Sequence, residues 1–228
     1  MSLVDPPAPP EGSDIARYVA PGMIAVLQIE NIDDAAPLAT ALRKGGIRTV
    51  ELALRTPAGI DALRVMLQTE PELMIGAGTV LSASQADAAK AAGAAFAVAP
   101  GFDPATVDRC RTIGLPFAPG VATPSEVQAA LAMGCFTLKF FPAESFGGIG
   151  GLRALNAPFA HLAPRFIPLG GIDLQKARVY LAEPSVAAVG GSWIAPTDLI
   201  RRKDWARIEQ NAAEASHLAA CRLAPSPK

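Results

Sequence analysis

The stretch LPFAPGVATPSEVQAALAMGCFTLKF, Leu115–Phe140, sets two apolar runs around one segment of helical character. Thr123 stands directly before Pro124, and Glu126 follows three positions after the threonine. That is the pattern of a capping box opening a helix with proline in its first turn. Gly134 ends the segment, where a glycine can take the left-handed conformation of a helix C-terminus. The flanking runs, LPFAPG and CFTLKF, are nearly continuously apolar, as strands covered on both faces are. Strand, helix, strand is therefore predicted, the crossover that joins parallel neighbours.

Working outward, the same unit recurs. GMIAVLQI, IRTVELAL, ELMIGAG, AAFAVAP, RFIPLGG and VAAVGGS bring the strand candidates to eight. Helix-like segments such as DDAAPLATALRKGG, SASQADAAKAAG and LQKARVYLAE lie between them, and a longer Gly-rich piece, SFGGIGGLRALNAPFAHLAP, fills the sixth connection. The helices following Asp33 and Ser82 begin with acceptors suited to free N–H groups. Gly45, Gly93 and Gly114, like Gly134, are expected to be left-handed C-caps. A last helix from about Asp204 to Leu218, with Trp205, Ile208 and Ala212 inward, is expected to close the ring. Eight strands with helical crossovers predict an α/β protein, a closed (β/α)8 TIM barrel near the usual size of that fold. An open doubly wound sheet is the alternative, but no dinucleotide fingerprint follows the first strand. The expected organisation is a flexible proline-rich tail over residues 1–13, one barrel domain over 14–220 and a short C-terminal tail over 221–228.

Composition narrows the function. The chain has 228 residues, half of them apolar and only 18% charged, with a formal net charge of -1. No basic tract marks a nucleic-acid or anionic-membrane surface, so neither partner is expected. The segment MSLVDPPAPPEGS lacks the basic and apolar blocks of a signal peptide, and no apolar run reaches the ~18 to 20 residues of a membrane span. Cys110, Cys135 and Cys221 form no CxxC, so neither a disulfide framework nor a thiolate zinc knuckle is expected. A reduced, cytoplasmic setting follows. His161 and His217, the two histidines, are far apart in the pattern, which rules out a His-rich metal centre; a carboxylate magnesium site stays open.

In a barrel, reactive groups belong at the carboxyl ends of strands. TVELALRTP places Glu51 inside an apolar run, where an unpaired carboxylate is costly, and Arg55 at its end, where a planar donor fork suits a small carboxylate. A purely structural Glu–Arg pair is the other reading. GAGTVLS offers the Thr79 hydroxyl beside glycines that allow close approach, or simply a strand-to-helix turn. In CFTLKF, alternation sets Cys135, Thr137 and Lys139 on one face and Phe136, Leu138 and Phe140 on the other. An ammonium held away from water loses ground to the neutral amine, which can attack a ketone; a lysine that snorkels to solvent cannot be told from it by pattern alone. Finally, Gly170–Gly171 and Gly191–Ser192 end the last two strand candidates. Exposed amides there make a phosphate cradle, where barrels commonly carry one, or plain tight turns.

Together these groups suit a 2-oxo acid attacked at C2 by Lys139 and held through its carboxylate by Arg55. The iminium that results is an electron sink for cleavage between C3 and C4, with Glu51 moving the protons. A different phosphate-binding barrel that uses Glu51 as a base, and a non-catalytic phosphometabolite-binding barrel, are the competing readings.

VELALRTP, GAGTVL, PGFDP, LKFFPAE, PLGGI and GGSWI, in this order, resemble the bacterial 2-keto-3-deoxy-6-phosphogluconate and 4-hydroxy-2-oxoglutarate aldolases of class I, over about Ile15 to Leu218. The resemblance implies a lyase of the Entner–Doudoroff pathway needing no cofactor or metal, a (β/α)8 barrel assembled as a homotrimer. It implies cleavage of 2-keto-3-deoxy-6-phosphogluconate to pyruvate and D-glyceraldehyde 3-phosphate, and often of 4-hydroxy-2-oxoglutarate to pyruvate and glyoxylate. The implied partners are thus small 2-oxo acids and phosphorylated aldehydes. By the same resemblance Lys139 is the Schiff-base lysine, Glu51 the acid and base, and Arg55 the ligand of the pyruvate carboxylate. Thr79 lines the pyruvate end, Pro119 borders the pocket, and Gly170, Gly171, Gly191 and Ser192 bind phosphate. Leu169 stands where gluconate-type members read threonine and galactonate-type relatives an apolar residue, so preference for the galactonate epimer is the alternative. GMIAVLQI also lacks the proline and basic residue frequent near the family's first strand, which alters part of the distal contact.

Overall fold

The computed structural model describes residues 15–19 and 22–223. The expected tail over residues 1–13, and residues 224–228 of the expected C-terminal tail, lie outside the described residues; residues 221–223 of that tail instead continue the last helix. A short helix α1 (Ala16–Val19) precedes strand β1 (Met23–Leu27) and helix α2 (Ala35–Lys44). Then strand and helix alternate: β2 (Thr49–Ala53), α3 (Gly59–Thr69), β3 (Met74–Gly78), α4 (Ala83–Ala91), β4 (Ala97–Val98) and α5 (Pro104–Thr112). The opening stretch supplies β5 (Phe117–Ala118), β6 (Gly120–Val121), α6 (Pro124–Ala132) and β7 (Thr137–Phe140). After it come α7 (Gly148–Asn156), β8 (Arg165–Pro168), α8 (Leu174–Leu181), β9 (Val189–Gly191), α9 (Thr197–Arg201) and α10 (Trp205–Leu223).

All the strand pairings are parallel. The strands form a curled, partly open six-stranded sheet in the order β5-β4-β3-β2-β1-β9, and a three-stranded sheet in the order β6-β7-β8. The eight-stranded ladder expected from the sequence is thus interrupted, and proline explains one break. Pro119 separates β5 from β6, and a residue with no N–H cannot donate to a ladder. Backbone bonds still run through this point: Ala118 accepts from Ala99 at 3.3 Å, and the Pro119 carbonyl accepts from Lys139 at 2.9 Å. At the other break, between β8 and β9, Phe166 and Val186 form a single parallel bridge, and Ala187 donates to Phe166 at 2.8 Å.

Two apolar clusters explain the curl. The larger packs outer strand residues such as Met23, Ala25, Leu27, Leu138 and Phe140 against the helices. The smaller gathers Ile24, Phe96, Val98, Ala118, Ile167, Leu169 and Ala188 on the inner surface, with Ile15 just before α1 and Val19 at its end added to them. Burying those two side chains contributes about 1.5–3 kcal/mol each and holds α1 against the strands. Within β1 the clusters alternate residue by residue, as a strand covered on both faces requires.

The helix signals hold in most places. Ser82 caps α4 and Thr123 caps α6, the latter in a full capping box. Before α2 the cap is made earlier, by Asn31 accepting from Asp33 N. Gly93, Gly114 and Gly134 have positive φ, but Gly45 does not; Gly46 takes that conformation at +85°. Gly45 is small for another reason: a Cβ there would stand 2.4 Å from Ala212 Cβ on α10. Cys135 also departs from expectation. It lies before β7 begins, so strand alternation does not reach it, and it packs with Phe136 against the outer cluster. Burial pushes the Cys135 thiol up to about 11 and the Cys110 thiol up to about 12, and the three cysteines are free.

The capping box has a measurable acid signature. Burial pushes the Glu126 carboxyl up, but hydrogen bonds from Ala122 N–H, the Thr123 hydroxyl and Thr123 N–H outweigh it and hold the group below its ordinary 4.5. A lowered folded value means that this stability is present above pH 4.5 and is lost as pH falls through the folded value. Glu126→Gln is expected to cost about 1 kcal/mol near neutrality and little in acid. Urea midpoints at neutral pH and at about pH 3 check this; an equal cost at both would contradict it.

Candidate active site

Glu51 lies in the middle of β2, whose neighbours β1 and β3 set Val26 and Gly76 beside it. Lys139 lies near the end of β7, flanked by Gly120 of β6 and Ile167 of β8. The curl of the strands brings these two residues together across 88 positions of sequence. Lys139 Nζ donates to Glu51 Oε1 at 2.7 Å. Both are buried, at 4% and 2% exposure. A buried ion pair is weak evidence of stabilisation, because desolvating two charges offsets most of their attraction. Its chemical consequence is plainer: a carboxylate in direct contact can take the proton that an amine must lose before it attacks a carbonyl.

The pair borders a cavity of about 370 Å³ lined by strand ends and the loops after them. Of the residues singled out in the sequence, Glu51, Arg55, Thr79, Lys139, Leu169, Gly170, Gly171, Gly191 and Ser192 line it. Pro119 does not; it sits behind the wall, its carbonyl holding the Lys139 N–H. Among the described residues the Arg55 guanidinium makes no hydrogen bond or ion pair, so its five donors remain available to a ligand. Thr79 has φ +60°, a left-handed backbone in a β-branched residue. Such a conformation costs of order 1–3 kcal/mol and persists only where its surroundings enforce it. The N–H groups of Gly170, Gly171 and Ile172 have no acceptor among the described residues. Leu169 is buried in the inner cluster and reaches the same cavity.

Sequence reasoning missed Val26, Ala53, Pro100, Phe141, Ile172 and Gly190 in this lining. Phe141 had a signal: it is the next residue on the face of Lys139 after one alternation, and its ring centroid lies 5.3 Å from Nζ. A cis peptide joins it to Pro142. Val26 and Ala53 carry no polar group to mark them. His161 and His217 are both exposed and line no part of the cavity. Among the described residues no group of three or more His, Cys, Asp or Glu side chains could hold a metal ion, and no helix is long and apolar enough to cross a membrane.

With this geometry in place, the comparisons with known proteins agree with one another. Residues 16–211 match the aldolase family described as KDPG and KHG aldolase. A 2-dehydro-3-deoxy-phosphogluconate aldolase of Treponema pallidum is 43% identical over 186 residues, covering 82% of this chain and 88% of its own. The KHG/KDPG aldolase of Escherichia coli K12 is 39% identical over 193 residues, 85% of this chain and 90% of its own. The crystal structure of KDPG aldolase from Legionella pneumophila, with pyruvate captured at low pH as a covalent carbinolamine intermediate, superposes with a TM-score of 0.83 at 40% identity. That match covers 87% of this chain and 95% of the other.

Proposed function

This chain belongs to the KDPG and KHG aldolase family, and from that premise we propose how its own residues carry out class I, metal-independent aldol cleavage. The substrate is 2-keto-3-deoxy-6-phosphogluconate, and the products are pyruvate and D-glyceraldehyde 3-phosphate. The observation that carries the reading is the buried Lys139–Glu51 contact of 2.7 Å on the wall of a cavity that also holds an unpaired Arg55.

Arg55 holds the substrate carboxylate, in reach of the Thr79 hydroxyl, and so presents C2 to Lys139. The Lys139 ammonium gives a proton to Glu51, and the amine attacks C2 to form a carbinolamine. Glu51 returns a proton to the departing hydroxyl, water leaves, and an iminium remains. Glu51 then takes the proton of the C4 hydroxyl. As the C3–C4 bond breaks, its electron pair moves into the iminium, so an enamine forms in place of an unstabilised carbanion. Protonation at C3 and hydrolysis release pyruvate and restore the amine. Gly170, Gly171, Gly191 and Ser192 hold the distal phosphate on main-chain N–H groups, supplying remote binding energy and orientation. Pro119 acts from behind, through the carbonyl that fixes the Lys139 backbone.

Two further parts of the proposal concern architecture. The two curled sheets are arcs of one closed (β/α)8 TIM barrel, joined through Pro119 on one side and the Phe166–Val186 bridge on the other. Residues 14–220 form that single domain, and it assembles as a homotrimer. A second substrate reading is favoured by Leu169: an apolar side chain at the cavity wall offers no hydroxyl to a substrate hydroxyl, so the galactonate epimer is the alternative. The deciding experiment measures pyruvate release from both phosphorylated epimers and from 4-hydroxy-2-oxoglutarate, with the solution mass determined on the same preparation. Release from the gluconate epimer, undiminished by EDTA, by a particle of three chains is the expected result. No pyruvate from any of the substrates would leave only a phosphometabolite-binding barrel.

A further inference from the structure

Behind the Gly170–Gly171 turn, three side chains make a connected set of contacts that the chemistry above does not use. Glu144 opens the short 3-10 turn Glu144–Phe146 that follows β7. Its Oε1 accepts from the phenol of Tyr180 on α8 at 2.9 Å, and its Oε2 pairs with Lys176 of the same helix at 3.0 Å. Lys176 Nζ also donates to the carbonyl of Gly171 at 3.0 Å. The Glu144 side chain lies against two glycines of positive φ, Gly148 at +60° and Gly171 at +75°. A Cβ on Gly171 would stand 2.9 Å from Glu144 Cβ. Tyr180 is 1% exposed, and burial, reinforced by its bond to Glu144, pushes the phenol up, so it remains a donor.

The direction of these contacts gives them a task. The Leu169 carbonyl accepts from Ala143 N–H at 2.7 Å, the Gly170 carbonyl from Glu144 N–H at 3.1 Å, and the Gly171 carbonyl from Lys176. A trans peptide is planar, so a fixed carbonyl fixes the next residue's N–H in the opposite direction. Three held carbonyls therefore orient the N–H groups of Gly170, Gly171 and Ile172, the three that lack an acceptor among the described residues. Main chain holds the first two. The third rests on the Lys176 side chain, which Glu144 aims and Tyr180 anchors.

We propose that Lys176, Glu144 and Tyr180 are positioning residues for the distal phosphate of the substrate, fixing the Ile172 N–H toward it through the Gly171 carbonyl. This rests on the aldolase reading, in which these glycines receive that phosphate. None of the three side chains lines the cavity, so each acts through the turn and not by touching the ligand.

The test compares Lys176→Met, Lys176→Arg, Glu144→Gln and Tyr180→Phe with the unaltered protein. Lys176→Met and Glu144→Gln are each expected to raise KM for the phosphorylated substrate by about fivefold, the scale of one lost hydrogen bond, with kcat held within about twofold. Lys176→Arg, which keeps the charge and the donors, should keep KM near that of the unaltered protein. Calorimetry with inorganic phosphate, which needs no turnover, should show the same weakening. The pyruvate concentration that gives half-maximal borohydride trapping on Lys139 should not move, because pyruvate carries no phosphate. Loss of trapping in step with KM would make the cluster merely structural and overturn the proposal. So would weaker phosphate binding in Lys176→Met beside stronger binding in Glu144→Gln, the mark of a lysine that binds phosphate itself. Failure of the aldolase reading is separate: it appears as no trapped pyruvate in the unaltered protein, with the calorimetric comparison still deciding the positioning role.

Discussion

Lys139→Met is expected to yield no borohydride-trapped pyruvate adduct and to lower turnover by on the order of 10⁴-fold or more, the scale seen when a nucleophile is removed. The thioether fills a similar space but has no lone pair that can form an iminium. Without the iminium, C3–C4 cleavage would leave a carbanion with no sink. The same change bears on stability. Glu51 is 2% exposed and would lose its partner at 2.7 Å. Breaking one side of a buried pair costs about 3–5 kcal/mol, because the remaining charge stays desolvated. Lys139→Met should therefore lower the urea midpoint, and adding Glu51→Gln should restore much of it. Mass spectrometry of the reduced, pyruvate-treated protein checks the first claim and denaturation the second. Turnover within tenfold of the unaltered protein would remove Lys139 from the chemistry altogether.

Much of this site could be read from the sequence because its residues break local rules. A lysine in a strand otherwise made of Phe, Leu and Thr, and a carboxylate inside VELAL, are each costly unless paired or used. Their pairing explains both at once. The capping box at Thr123 and the strand-by-strand recurrence were equally legible, because caps and periodicity are local. What depended on contacts between distant segments was not. Gly45 does end α2, as it reads in the sequence, but not in the left-handed conformation; the close approach of α10 is what requires a glycine there. Cys135 read as part of the inward file, because nothing in the sequence says at which residue a strand begins. Pro119 lies inside the strand candidate LPFAPG, with nothing local to say that it splits that candidate between two sheets. Tyr180 and Glu144 lay in an ordinary helix and an ordinary turn; only the packing of α8 against the end of β7 reveals that they meet. Leu169 is the reverse case. Its place in the inner cluster is what an apolar residue just past a strand end predicts, and its reach into the cavity is what makes it a question of specificity.

Glu51→Gln separates the roles of the two buried residues. The amide has the shape of the carboxylate, and its oxygen can still accept from Lys139, so the protein should fold and the strand ends should keep their places. It cannot take up a proton at any step. Because the proposed mechanism uses Glu51 in carbinolamine formation, dehydration and cleavage in turn, turnover is expected to fall by about 10²- to 10⁴-fold, the range for a positioned acid–base group. The pyruvate adduct should still accumulate on Lys139, only more slowly, which Lys139→Met forbids. Gly78→Ala offers an independent approach to the same carboxylate. A Cβ at that position in β3 would stand 2.5 Å from Glu51 Oε1 and 2.7 Å from Glu51 Cγ. The carboxylate would then have to move from its contact with Lys139 while keeping its charge. If position as well as chemistry sets the rate, Gly78→Ala should reproduce the slow adduct formation of Glu51→Gln, since an error of about 1 Å in a catalytic group can cost 10²-fold. Normal turnover in Gly78→Ala would show that the 2.7 Å contact is not needed for proton transfer, and a water would then have to carry the proton between the two groups.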